Sequence, residues 1–162
     1  MRHNDPAIIT LRPEDPRDEA FLYRLYASAR AEEIAAWGWD KAQQEAFLKM
    51  QFNGQRQSYG WQYPEAERLI ILRDEQPAGR MIVHRSDEEL LLVDIALLPE
   101  HRNLGIGAML IGSLLDEASL ARKPVRLSVE RSNPAKRLYE RLGFALVGDT
   151  GTHFHMEWRP AA

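Results

Sequence analysis

The chain contains no cysteine among its 162 residues. That one absence removes disulfides, thiolate metal sites, cysteine nucleophiles and a thiol acyl-enzyme. No Gly-Lys pair occurs, so a P-loop is excluded, because its lysine must follow the last glycine. There is no excess of positive charge. Lys and Arg total 21 against 24 Asp and Glu, for a net charge of −3 and a pI near 6.0. A nucleic-acid partner is therefore not expected. No apolar run is long enough to span a bilayer, and the opening residues MRHNDPAIITLRPED hold no signal-type apolar segment. A cytoplasmic protein without a membrane partner is the expectation. Repeats, low-complexity tracts and linkers are also missing. What remains is 44% hydrophobic and 28% charged, which suits one domain with a substantial core.

Along the chain, residues 8–12 read as a strand. Asp15 and Pro16 then form an N-cap and first helical residue, with Asp18 and Glu19 at the positive helix end. Phe21, Leu22, Leu25, Tyr26 and Ala29 recur at helical spacing and predict one buried face. Asp40 and Gln43 form a capping box for a second helix with Ala46, Phe47 and Met50 on its apolar face. That helix is expected to run to about Tyr59, weakened by Gly54 and Gly60. Strands are predicted over residues 69–73, 78–85, 90–98, 125–129, 145–149 and 152–158, with a hairpin turn over residues 74–77 and another turn at 86–89. Asn133 and Pro134 open a last helix, whose inner face is Ala135, Leu138, Tyr139 and Leu142. Gly143 suits the residue after its end, with Phe144 placed for the apolar contact that follows. The order β-α-α-β-β-β-α-β-α-β-β predicts an α+β domain.

The most informative stretch is residues 90–121. It reads as an apolar strand, a basic turn with two glycines, and an amphipathic helix. Glycines let backbone approach a ligand, and a helix N-terminus favours an anion, so a phosphate-bearing ligand is the first inference. A dinucleotide site fails at the third glycine of G-x-G-x-x-G, and repeated βαβ units do not precede it. The pattern R/Q-x-x-G-x-G/A at a strand–helix junction is met at Arg102, Gly105 and Gly107.

Two phrases, DIALLPEHRNLGIG from Asp94 to Gly107 and NPAKRLYERLGF from Asn133 to Phe144, stand in this order with a strand between them. Together they resemble the GNAT superfamily of acetyl-CoA-dependent N-acetyltransferases. The resemblance covers roughly the C-terminal half. It implies a mixed, mostly antiparallel, twisted sheet of about seven strands with a central splayed parallel pair, flanked by about four helices. It also implies one GNAT domain over residues 1–162, with the acceptor side mainly in 1–66 and the acetyl-CoA core mainly in 90–144.

By that resemblance, acetyl-CoA is the acyl donor and no metal is used. The backbone of Arg102, Asn103, Leu104, Gly105, Ile106, Gly107 and Ala108 holds the pyrophosphate. Ile95, Ala96 and Leu97 pair with the pantetheine arm, and an N–H near Leu97 stabilises the oxyanion. Asn133 and Lys136 belong to the same binding set. Tyr139 is the general acid for the departing thiolate: a phenol of pKa ~10 donates to a thiol-forming thiolate of pKa ~8.5 with little penalty. Asp94, the one carboxylate in an apolar strand, is the candidate base. Glu88, Glu89 or a water chain are the alternatives. The acceptor, a small-molecule or peptide amine, is placed near Trp37, Trp39, Arg56, Tyr59, Trp61 and Tyr63, where Arg56 could hold a carboxylate. His84, His153 and His155 read as polar-face residues rather than ligands. A monomer or homodimer is expected. A non-catalytic acyl-CoA sensor and an enzyme for longer acyl-CoA are the rival readings.

Overall fold

A computed structural model describes residues 6–161; residues 1–5 and 162, which the predicted domain includes, lie outside the described residues. Seven strands form one sheet in the order β1-β2-β3-β4-β5-β7-β6. They are β1 (Ile9–Pro13), β2 (Glu67–Arg73), β3 (Gln76–Arg85), β4 (Leu90–Leu97), β5 (Val125–Glu130), β6 (Ala145–Asp149) and β7 (His153–Trp158). The helices are α1 (Glu19–Ala35), α2 (Lys41–Gln62), α3 (Ile106–Ala121) and α4 (Lys136–Arg141). β1–β2, β5–β7 and β6–β7 are antiparallel, whereas β4 and β5 run parallel. The β4–β5 register covers Leu90–Leu92 against Val125–Leu127 only, although both strands continue. That is the splayed parallel pair expected for this fold.

The chain divides into two compact units. The first takes the chain up to Arg80 together with Ala96–Arg102. Its helical layer is built on Leu22, Phe52 and Ile70, with Tyr23 and Tyr26 set edge-on and tilted against the Phe52 ring at 5.6 and 5.8 Å. Asp15 caps a short 3₁₀ turn, Pro16–Asp18, that leads into α1. Asp18 does more than face a helix dipole. It is buried, accepts two hydrogen bonds from Arg12 (2.8 and 2.7 Å) and one from the Asp15 N–H. Arg12 holds its carboxyl below the usual range.

The Asp40–Gln43 capping box forms as expected. Beyond it, α2 differs from the sequence reading. It runs through Gly54 and Gly60 to Gln62. It buries Leu48 and Phe52, while Ala46 and Met50 are exposed, and Ala29 of α1 is exposed too. Packing against α1 selects a different stripe from the one that spacing suggested, and two glycines cost too little to end a tertiary-braced helix. The hairpin turn is Asp74-Glu75, both at positive φ, and Pro77 already lies in β3.

The second unit takes Met81–Ile95 and the chain from Asn103 on. Its core comprises Leu90, Leu92, Leu110, Ile111, Leu114, Val125, Leu127 and Met156. β5 alternates buried and exposed residues, and Arg126 on its outer side pairs with Glu157 and Glu89.

Candidate active site

The turn after β4 is built from its own backbone. Pro99–His101 make a 3₁₀ turn, and the Arg102 Nε–H donates to the Leu97 carbonyl at 2.9 Å. Arg102 thus braces the turn that precedes the glycines. Asn103 (φ 61) and Gly105 (φ 81) are both left-handed, a conformation these residue types adopt most readily. This brings the chain abruptly into α3. No side chain caps the helix, so the N–H groups of Ile106, Gly107 and Ala108 form an open positive end. Asn103, Leu104 and Gly105 are exposed, Gly107 and Ala108 half-buried, and Ile106 turns its side chain inward.

Gly107 gives a test of fit. Its φ lies outside the left-handed region, and an added Cβ would meet nothing nearer than Leu138 Cδ2 at 3.9 Å. Nothing in the described fold demands glycine there. Cβ atoms lean toward a helix N-terminus, so a side chain at 107 would intrude on the space before the open N–H groups. The residues present fit an anionic ligand held by backbone.

Tyr139 is fixed by the way α4 ends. Gly143 (φ 99) is left-handed, its N–H donates to Glu140 O, and the Phe144 N–H reaches Tyr139 O, each at 3.0 Å. This is a Schellman closure, and the Phe144 ring sits 5.8 Å from the Tyr139 ring as its apolar clasp. Tyr139 is 7% exposed. Burial, reinforced by the charge of Asp94, pushes its phenol up to about 12. The easy match to a thiolate therefore does not hold: complete transfer to a thiolate of pKa ~8.5 would cost ~5 kcal/mol. Tyr139 is a neutral hydrogen-bond donor at any physiological pH.

At the other end of this segment, Asn133 Oδ1 accepts from the Ala135 N–H at 2.9 Å. The helix itself begins later than predicted, at Lys136, because Pro134 and Ala135 form a preceding turn. Lys136 lies 4.5 Å from the Phe154 ring centroid and 3.9 Å from Glu140. Asn133 and Lys136 share a hollow of about 420 Å³ with Arg131, Arg137 and Glu140.

Of the candidate bases, Asp94 is half-buried in β4 rather than buried, and it is not an isolated charge. Glu89 is tied to Arg126 at 3.5 Å, and Glu88 is exposed. His155 meets Ser128 Oγ at 2.7 Å and His153 meets Thr152 at 3.0 Å. Among the described residues no His, Cys, Asp and Glu group has the makings of a metal site.

The aromatic residues expected around the acceptor do not form one cluster. Trp37 and Trp39 pack edge-on against Phe47, near the start of α2. Arg56 and Tyr59 lie on its C-terminal half, some 18 Å away from Phe47 for the twelve-residue step to Tyr59 at ~1.5 Å per residue. Arg56 pairs with Glu19 at 3.2 Å and lies over the Phe52 ring. Tyr63 closes the helix by donating its N–H to Tyr59 O, and Trp61 is 88% exposed. A hollow of about 490 Å³ beside α1 and α2 is lined by Glu19, Tyr23, Lys49, Phe52 and Asn53, and by none of the four expected substrate residues Trp37, Arg56, Tyr59 and Tyr63.

Two residues of β3 escaped sequence reasoning. Arg80 is a buried cation whose Nη2 donates to Gln55 Oε1 at 3.2 Å. A Cβ on Gly79 would lie 2.1 Å from the Ala96 carbonyl oxygen. An isolated glycine within a strand is the available signal for such an approach.

The family model described as Acetyltransferase (GNAT) family matches residues 27–144. The chain belongs to this family. It is similar to the [ribosomal protein bS18]-alanine N-acetyltransferase of Haemophilus influenzae, with 35% identity over 79 residues, 47% of this chain and 53% of that relative. The chain thus spans about half the length of the curated relative it matches. The PaiA N-acetyltransferase of Thermoplasma acidophilum, solved with coenzyme A, superposes with a TM-score of 0.66 over 94% of this chain and 99% of that one, at 19% identity. The ribosomal-protein-S18-alanine N-acetyltransferase of Escherichia coli gives 0.62 over 96% of each chain, at 20% identity. At such identities the likeness is one of fold.

Proposed function

We propose that this chain is an acetyl-CoA-dependent N-acetyltransferase acting on a primary amine by direct attack in a ternary complex. The observation that carries the reading is the uncapped N-terminus of α3 behind two left-handed residues, in a chain of this family. Bound acetyl-CoA supplies an activated thioester. The N–H groups of Ile106, Gly107 and Ala108, with the turn from Arg102 to Gly105, hold its pyrophosphate. The backbone of Ile95, Ala96 and Leu97 takes the pantetheine arm, and Asn133 and Lys136 are assigned to the same ligand. The Leu97 N–H donates to the thioester carbonyl as negative charge builds there. Tyr139 donates to the sulfur as the carbon–sulfur bond lengthens, and its high pKa makes that donation concerted with scission rather than complete before it. Asp94 takes a proton from the acceptor ammonium, directly or through water, and the neutral amine then attacks the thioester carbon.

The Haemophilus relative is named as an N-acetyltransferase of alanine in ribosomal protein bS18. A peptide α-amine is therefore the first acceptor to try, beside free amino acids and polyamines, with coenzyme A thiol release as the readout. Tyr139→Phe is expected to lower kcat by ~10²-fold, within the usual range for general acids, with little change in KM for acetyl-CoA. Tight acetyl-CoA binding with no release for any amine would favour a sensor instead.

A further inference from the structure

We infer that Gly79 is a positioning residue for the oxyanion donor, because it makes room for the tilted Ala96–Leu97 peptide. The inference rests on the reading of Leu97 given above. In a regular ladder, carbonyls lie in the plane of the sheet and Cβ atoms stand out of it, so a carbonyl and a cross-strand Cβ do not collide. Here they would. A Cβ on Gly79 would stand 2.1 Å from Ala96 O, 3.1 Å from Ala96 C and 2.9 Å from Leu97 Cδ2. The Ala96 carbonyl is therefore tipped out of the ladder, into the place where any other residue at 79 would put its side chain.

The peptide is trans, so its N–H runs opposite to its C=O. With the Ala96 carbonyl directed onto Gly79, the Leu97 N–H is aimed away from β3. The next peptide is held on both sides. The Leu98 N–H donates to Ala78 O at 2.9 Å, and the Leu97 carbonyl takes the Arg102 Nε–H. The tilt is thus locked on the side that follows it. The direction it leaves for the Leu97 N–H is away from the β3 ladder, where a ligand carbonyl can use it. Glycine at 79 is what this costs the sequence. A backbone oxygen at 2.1 Å cannot be relieved by turning a side chain, so alanine at 79 has to push the Ala96 carbonyl back toward the sheet and rotate the Leu97 N–H with it.

The test reads the carbonyl directly. Infrared difference spectra of acetyl-CoA labelled with ¹³C at the thioester carbonyl are recorded free and bound to the protein, alongside steady-state kinetics. Wild type is expected to lower the bound carbonyl frequency. Gly79→Ala is expected to lose that displacement and ~10²-fold in kcat, the usual loss for one oxyanion donor, while affinity for coenzyme A, which has no carbonyl, persists. Adding Leu97→Ala removes the Cδ2 contact but leaves the backbone one, so it should not restore the displacement. If Gly79→Ala does not fold, Ala96→Gly adds no atom, loosens the same peptide, and should weaken both signals. A wild-type protein with no displacement overturns the oxyanion reading beneath the inference. A displaced wild type with an equally displaced, fully active Gly79→Ala, or an unaffected Ala96→Gly where that variant is needed, overturns the role of Gly79 alone.

Discussion

Tyr139 carries two consequences of one fact, its burial. The first is chemical: a phenol raised to about 12 stays protonated, so under the proposed mechanism its part is to donate a hydrogen bond to developing thiolate charge. The second is thermodynamic. The folded protein keeps this proton to about 12, while the unfolded chain releases it near ~10. The native state therefore binds more protons between these values, and stability falls as pH rises through them. The contribution is fully present below pH ~10 and, for a two-unit shift, amounts to ~3 kcal/mol lost by pH 12. Tyr139→Phe removes that slope. The wild-type denaturant midpoint should fall relative to the variant's between pH ~10 and about 12, from a constant difference below ~10; parallel curves would contradict the burial argument. Asp18 and Gly79 show what single residues conceal. Asp18 was legible as a helix-start acid, but its burial against Arg12 depends on a strand that spacing alone could not bring to it. Gly79 sat in a predicted strand, where an isolated glycine marks a close backbone approach but does not say which carbonyl makes it.

At the scale of elements, what local chemistry decides was legible and what neighbours decide was not. Asp15, the Asp40–Gln43 box and Gly143 each act within a few residues, and each stands where the sequence placed it. The buried stripe of α2 was misplaced because its phase depends on Tyr23 and Tyr26 arriving from α1. The closure of α4 lends itself to a test, since it ties stability to the site. Gly143→Ala meets both a positive φ of 99° and the Trp158 ring, whose Cδ1 would lie 3.2 Å from the new Cβ. A loss of ~1–3 kcal/mol is expected for such a conformation. Because the same turn anchors Tyr139 to Phe144, kcat should fall as well. Gly151→Ala is the control: its φ is 91° and its Cβ would touch nothing within 4 Å. It should lower the Tm and leave kcat alone. Equal kcat for both variants would separate the Schellman turn from catalysis.

For the whole molecule, the turn and helix start over residues 102–108 were legible because backbone conformation is written in glycine, asparagine and helix position. The packing of the aromatic residues around α2 was not. It depends on which side chains meet, and Trp37 proved to be a packing partner of Phe47 at the far end of α2 from Tyr59. The donor reading can be tested on the intact chain by mass action. Coenzyme A at a hundredfold above its Kd should stabilise the folded state by ~2.7 kcal/mol, read as a rise in Tm. Gly107→Val is the informative variant. Its φ is outside the left-handed region and its nearest neighbour is 3.9 Å away, so the unliganded Tm should hold or rise slightly, since glycine is the weaker helix former. The added side chain leans over the open N–H groups of α3, so the coenzyme-induced rise should vanish. A fold that is intact and blind to coenzyme A would locate the pyrophosphate at this helix end. A Gly107→Val protein that still gains the full shift would move the donor site elsewhere.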